Sequence, residues 1–335
     1  MNNTHRGPGL GPLASLVGSR ITVTGGAGFI GSHVATRLIR AGVDVTIIDD
    51  LSSGSLGKLA DVQALGLDED NIRIVDVRSE QCAQAIREWR PDVVVHLAAQ
   101  ASLPAAVRSP VTDADINIRG TVNVLEACVR GGVGLFVFAA SAAIYGQVDP
   151  SQLPVTEQTA IAPTSPYGMS KAAALDYVNW YQRHHNLAAT ALALGNVYGP
   201  RQSGPRCGVI PQIANDIVAG VPASISGDGQ QTRDFVYVSD VADAVALACT
   251  RSGIGLLNIA SGIETSITQV HDAVCAATSS VVAPAAIPAV PGEARRMVFD
   301  ISRAWETLGW QPTVELATGI DHVVQEAQAA VRATA

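Results

Sequence analysis

No C-x-x-C pair occurs among the five cysteines, Cys82, Cys128, Cys207, Cys249 and Cys275, so the chain writes neither a zinc cluster nor a dithiol redox motif. Reduced, mostly buried thiols are expected, and no metal site. No run approaches the roughly 18 apolar residues of a membrane span. The apolar stretch near the start, Leu13 to Val17, is too short for a signal-peptide core. The protein is therefore expected in the cytoplasm, away from membranes. Positive charge is also scarce: 22 Lys and Arg against 30 Asp and Glu leave a net charge of −8, which disfavours a sequence-blind grip on nucleic-acid backbones. Charged residues make up only 16% of the chain and hydrophobic ones 47%, the opposite of a disordered composition. A prior of roughly 150 residues per domain then gives about two domains, with a large core.

What is present begins after a Gly- and Pro-rich stretch, residues 1–18, read as a flexible tail. From Arg20, short apolar runs alternate with longer amphipathic ones: Ile21 to Thr24, Val34 to Ala41, Val43 to Ile48, Ile72 to Val75, Glu80 to Trp89, and Asp92 to Leu97. This alternation is the signature of βαβ units and a parallel sheet. It continues through Gly120 to Arg130, Leu135 to Ala139, a helix over Tyr167 to His184 opened by Pro166, and a strand over Ala188 to Leu194. After Asn196 the pattern loosens, with a helix-like Ile210 to Ala219, a strand-like Gly255 to Ile259, and the helices Thr268 to Ala277 and Ser302 to Leu308 closing the chain. The expected fold is α/β, a Rossmann-type doubly wound parallel sheet with a smaller, loop-rich C-terminal lobe. Residues 19–195 form the dinucleotide-binding domain, with a returning part near 235–260. Residues 196–234 and 261–335 form the substrate lobe.

Thr24 to His33 reads TGGAGFIGSH, with Gly25, Gly28 and Gly31 between an apolar strand and an amphipathic helix. Glycines in that setting permit a tight turn, let backbone N–H groups approach a pyrophosphate, and allow close helix packing. The second strand ends at Asp49, 18 residues after Gly31. A carboxylate there accepts hydrogen bonds from an adenosine ribose and repels a 2′-phosphate, which favours NAD over NADP. Asp76, after the third strand, is placed to hold the adenine amino group or simply to end its strand. Tyr167 and Lys171, four apart on one helix, set an ammonium beside a phenol whose pKa of about 10 makes it a poor base until a cation stabilises its phenolate. Ser141, just after a strand end, adds a hydroxyl able to bond the same substrate oxygen.

In that order, TGGAGFIGSH, DDLSSG, HLAAQAS, SAAIYG, SPYGMSK, NVYGPRQ, GDGQQTRDFVYVSD and PGEARRMVFDISRA resemble the extended short-chain dehydrogenase/reductase family. Within it they are similar to the NAD-dependent epimerase/dehydratase group, and more narrowly to the bacterial UDP-glucose 4-epimerases. The resemblance runs from Arg20 to about Gly319. It implies NAD contacts from Gly25, Gly28, Phe29, Ile30, Gly31, Asp49, Asp50, Ser53, Gly54, Asp76, Val77, the Leu97, Ala98, Ala99 and Gln100 segment, and Asn117, together with Tyr167 and Lys171. It implies a catalytic triad of Ser141, Tyr167 and Lys171. For a nucleotide-sugar substrate it implies Ser141, Asn196, Val209, Arg233 on a phosphate, Glu293 near the uridine ribose, and Arg295 or Arg296 in place of a phosphate-binding Arg, where Val290 stands. A homodimer through the helices Gly120 to Arg130 and Tyr167 to His184 is also implied.

Departures narrow the expectation. Related 4,6-dehydratases carry an Asp-Glu pair after the serine, whereas this chain has Ala142 and Ala143, so dehydration lacks its proton-transfer groups. Uronate-specific relatives resemble RPDM after the GPRQ stretch, where this chain reads GPRQSGPRCGVIP with Arg206 in reach. Ala193 and Ala139-Ala140 stand where Arg and Ser are common, and Met297 falls near the position thought to gate N-acetyl sugars. The expected activity is C4 epimerisation of a nucleotide-linked hexose, UDP-glucose and UDP-galactose first. A UDP-N-acetylhexosamine or UDP-uronate substrate, or a 4-keto-sugar reductase, are the alternatives.

Overall fold

Apolar runs of four to seven residues, too short for helices and without a polar face, call for a sheet covered on both sides. The computed structural model describes residues 11–202, 204, 207–289 and 294–334 and contains that sheet. Its first six strands are β1 (Arg20–Thr24), β2 (Asp44–Asp49), β3 (Ile72–Ile74), β4 (Val93–His96), β5 (Leu135–Ser141) and β6 (Ala188–Leu194). Three strands, β7 (Asn196–Tyr198), β8 (Ser224–Ser226) and β9 (Thr232–Tyr237), then lie outside it. β10 (Gly255–Ile259) returns to its edge, before β11 (Glu264–Ser266) and β12 (Ala285–Ile287). All pairings in the large sheet are parallel, in the order β10-β6-β5-β4-β1-β2-β3.

Strand alternation divides the core. Ile21, Val23, Val93, Val95, Leu135 and Val137 pack with Val34 and Leu38 of the helix Phe29–Arg40 and with Val241 and Val245 of the helix Val238–Ala248. Their neighbours Val94, Phe136 and Phe138 pack on the opposite side with Ile86, Leu125, Leu175 and Val178, from the helices Glu80–Trp89, Gly120–Gly131 and Pro166–His184. This is a period of two along each strand, with an amphipathic helix on either face. Each such side chain contributes about 1.5–3 kcal/mol on burial. A third core joins the helices Val209–Val218, Ile267–Thr278 and Leu316–Thr334 through Ile213, Ile217, Val270, Val274, Ile320 and Val324.

Three expectations change. The flexible tail does not extend to Gly18: Leu13 and Leu16, around a short helix Ala14–Leu16, are buried in the first core. The helix Ser302–Leu308, expected in the substrate lobe, buries Ala304 and Leu308 beneath the large sheet, against β10 and the helix Val238–Ala248. The chain closes not with that helix but with the 19-residue Leu316–Thr334.

Candidate active site

Strand order reverses at β1: β2 and β3 lie on one side of it, β4 and all later strands of the large sheet on the other. Ligands of such sheets bind in the crevice at the carboxyl ends of the strands that flank this point. Gly25 follows β1 with φ +71°, and a Cβ there would stand 2.7 Å from the Ala98 nitrogen, so the two strand ends meet backbone to backbone. At Gly31, in the first turn of the helix Phe29–Arg40, a Cβ would fall 2.1 Å from the Gly25 carbonyl oxygen. Gly28 is the N-cap of that helix. No side chain caps it, and its first turn, with Phe29 and Ile30, carries no acid. The free N–H groups and the positive end of the helix dipole therefore favour an anion.

Asp49 ends β2 at 6% exposure, its carboxylate accepting from the Ala27 and Leu51 amides at 2.9 and 2.8 Å. Burial raises its pKa and the two amides draw it back. Gly54 packs on the same carboxylate, its hypothetical Cβ 2.9 Å from Asp49 Oδ1. Asp50 differs. It is exposed and accepts from the Ser52 amide and hydroxyl, so it shapes its own turn, and Ser53 is exposed beside it. Asp76 is ion-paired with Arg78, which also holds Asp115 at 2.5 Å, and that hydrogen-bonded pairing keeps its carboxyl below the usual range. An adenine would have to share it. The following Val77 is buried and lies where a Cβ on Gly120 would be 2.9 Å away.

Beyond β4 the Leu97 amide donates to the Thr24 carbonyl at 3.0 Å, and the segment through Ala98 and Ala99 reaches Gln100. Asn117 holds Gln100 twice, accepting from its amide at 2.9 Å and donating to its carbonyl at 3.0 Å, and also donates to Ser170 Oγ at 3.0 Å. His96 sits beneath at 1% exposure, with burial pushing its pKa down to about 3. The Thr121 hydroxyl donates to the Asn117 carbonyl at 2.6 Å, so it accepts from His96 Nε2 at 3.0 Å. His96 Nδ1 accepts from Thr24 Oγ1 at 2.7 Å. One neutral tautomer satisfies every group.

The helix Pro166–His184 begins at Ser165, whose hydroxyl accepts from the Gly168 amide at 3.1 Å, with Pro166 in its first turn. Tyr167, Ser170, Lys171, Ala174, Leu175 and Val178 form its buried face, a 3.6-residue spacing. Gly168 lets that face approach the turn after β5: a Cβ there would lie 2.5 Å from the Ala143 carbonyl oxygen. Ser141 Oγ accepts from the Ala143 amide at 3.2 Å, which leaves its hydrogen free, and its hydroxyl is near enough to the Tyr167 phenol to favour the phenolate. Burial raises the Tyr167 phenol pKa and the nearby Ser141 hydroxyl draws it down. Lys171 is 3% exposed, its Nζ 4.7 Å from the centroid of the Phe138 ring, and burial pushes its pKa down to about 8.

The residues expected to hold the sugar nucleotide are less enclosed. Asn196 opens β7 and is exposed, and Val209 opens its helix half-buried. The Arg233 guanidinium donates to the Thr232 and Ala294 carbonyls at 2.7 and 2.8 Å. Arg295 pairs with Asp228 through two bonds of 2.7 Å, and Arg296 pairs with Glu264 in the same way. Glu293, Val290 and Arg206 lie outside the described residues.

A family model described as the NAD dependent epimerase/dehydratase family matches residues 21–260. The chain belongs to that family. It is 38% identical over 311 residues to a UDP-glucose 4-epimerase of Mycolicibacterium smegmatis, covering 91% of this chain and 97% of that protein. Two solved structures are similar. The UDP-glucose 4-epimerase of Thermotoga maritima with UDP-glucose has a TM-score of 0.87 and 35% identity, over 93% of this chain and 99% of that one. The UDP-glucose 4-epimerase of Thermus thermophilus with NAD has 0.85 and 36%, over 93% and 99%.

As a nucleotide-sugar epimerase-type enzyme of the NAD-dependent family, the chain offers a site whose chemistry fits that cofactor. The uncapped N-terminus of the helix Phe29–Arg40 suits a pyrophosphate and Asp49 a ribose diol. The sequence reading missed Gly168, Asp113 and Asp234. Asp234 is 0% exposed and accepts from the Ser261, Gly262 and Phe299 amides, pinning the substrate side to the end of β10. Its signal lay in the RDF triplet next to Arg233. Asp113 stands four residues before Asn117 on continuous helical backbone, a spacing that places both on one face.

Proposed function

We propose that the chain inverts C4 of a UDP-hexose, interconverting UDP-glucose and UDP-galactose through a transient 4-keto sugar, with Ser141, Tyr167 and Lys171 as its catalytic residues. The observation that carries this reading is the placing of Tyr167 and Lys171 on the buried face of one helix, packed at Gly168 against the turn that follows Ser141, with Ala142 and Ala143 in that turn offering no second acid or base. Bound NAD supplies the hydride acceptor for C4 and afterwards the hydride donor.

The Tyr167 oxygen takes the proton of the sugar 4-hydroxyl and later returns it to the new C4 oxygen. Ser141 donates to the same substrate oxygen, having surrendered only its acceptor capacity to Ala143. Lys171 supplies positive charge in a low-dielectric setting, where its hold on a phenolate is strongest. Inversion needs the keto sugar to present its other face to the cofactor, and on the sugar side Asn196 is exposed and Val209 and Arg233 are half-buried. The helix Pro166–His184 exposes Met169, Tyr177 and Trp180 by 55%, 45% and 44%. This supports its pairing with a second copy of the chain, as the family resemblance implies.

Anomeric-region proton NMR with UDP-glucose or UDP-galactose and no added cofactor tests the reading. Approach to one equilibrium mixture from both sides is expected. If neither sugar changes while a UDP-N-acetylhexosamine or a UDP-uronate does, the hexose assignment is wrong. Net consumption of reduced cofactor would instead identify a reductase.

A further inference from the structure

Burying an ammonium costs free energy that normally drives its pKa far down or calls in a counter-ion. Around Lys171 the possible partners are few. From β4 comes His96, neutral in its two hydrogen bonds. From β5 come the Phe138 ring and the neutral Ser141 hydroxyl. Its own helix contributes the Tyr167 phenol and the Ser170 hydroxyl, the latter donating to the Tyr167 carbonyl at 3.0 Å. The remaining group is Asp113, on the short helix Pro110–Ala114 packed against the Lys171 helix.

Asp113 is 1% exposed. Its Oδ1 accepts from Gln100 Nε2 at 2.9 Å and Asn117 Nδ2 at 3.2 Å. Its Oδ2 has no hydrogen-bond partner and is one of three such buried side-chain atoms among the described residues. A carboxylate kept buried with one oxygen bare is expensive if the fold needs only a tether, because an amide would fill the same space. The Asn117 amide that bonds it also bonds Ser170, the residue before Lys171.

We propose that Asp113 is a positioning residue of the catalytic centre, a buried carboxylate that acts through Lys171 as the counter-ion its burial requires. The inference rests on the triad reading above. Its negative charge favours the Lys171 ammonium and opposes the Tyr167 phenolate. Asp113 therefore raises both of the pKa values that set how much of the protein holds Tyr167 as a base beside Lys171 as a cation. Without it both values slide toward acid.

The chain makes the test direct, because it contains two lysines, Lys58 and Lys171. With [13C]lysine in the NAD-loaded protein and no sugar present, two Cε signals are expected, and Lys58→Arg assigns them. Lys171 should titrate near 8 in the wild type and about one unit lower or more in Asp113→Asn, which retains the shape. In the activity profile both limbs should move the same way, with about tenfold less turnover on the alkaline side for each unit. Gln100→Ala removes a tether but keeps the charge, and should not lower the Lys171 midpoint. An unchanged midpoint in Asp113→Asn overturns the proposal, as does an equal fall in both variants. Should Asp113→Asn fail to fold, the wild-type titration decides: a midpoint near 5–6, the range of buried lysines without a counter-ion, overturns it. The titration needs no substrate, so a moved midpoint in a protein that turns over no UDP-hexose would sink the epimerase reading alone.

Discussion

The two sides of the site are built differently. On the cofactor side, Gly25, Gly31 and Gly168 bring backbone within van der Waals reach of backbone, and Tyr167, Lys171, Asp49 and Asn117 are all below 10% exposure. On the sugar side Asn196 is exposed, and Arg295 and Arg296 are exposed guanidiniums tied to Asp228 and Glu264. The first is fixed by packing that a single methyl group would disturb. The second is fixed by exposed ion pairs, which solvent and salt weaken. On the proposed function the chemistry therefore sits in the rigid half, and the choice of substrate in the half that can rearrange.

The sharpest break in that contrast is Tyr167→Phe, which keeps the ring's volume and removes one oxygen. Turnover should fall by about a thousandfold or more, with the melting temperature close to that of the wild type. Substantial remaining activity would show that another group is the base. Gly168→Ala tests whether close packing sets the position of Tyr167 relative to Ser141. Its Cβ must push against the Ala143 carbonyl, so a loss of about 1–3 kcal/mol is expected, together with a drop in kcat and little change in KM. Destabilisation with kcat intact would mean that Ser141 follows the helix as it moves. The smallest effect should come from Arg295→Ala or Arg296→Ala. Thermal denaturation should be unchanged, and KM for the sugar nucleotide should rise several-fold in whichever variant has lost a phosphate contact, with kcat retained. Asp228→Asn frees Arg295 and should lower KM if that arginine is the one used.

The same division governs how much the sequence disclosed. The glycine loop, the strand ends and the Tyr167, Lys171 pair were legible because each is written in a few contiguous residues whose spacing is their geometry. Pro166 announced the start of the helix that carries Tyr167 and Lys171. Asp113 was not legible, because its importance comes from Lys171, far along the chain, and from an oxygen left without a donor. Nor were the pairs of Arg295 with Asp228 and Arg296 with Glu264, which join distant segments. The helix Leu316–Thr334 was missed although Leu316, Ile320, Val323, Val324 and Ala327 keep a helical period. Its alanine-rich remainder, ending in a run of small residues, diluted the pattern. Leu13 and Leu16 were missed because glycines and prolines around them dominated the composition.

The contact of Gly25 with Ala98 also bears on how the site comes into being. The two sides of the cofactor crevice come from β1 and β4, with Thr24 and His96 separated by 72 residues, and β2 and β3 are laid down between them. Closing so long a loop is slow compared with forming a helix or a hairpin. On the ribosome, the pyrophosphate loop is therefore synthesised well before the chain that floors it has emerged. Until β4 docks, the nascent protein carries a glycine loop without the Ala98 backbone beneath it, so the close approach at Gly25 forms only after β2 and β3 have been made.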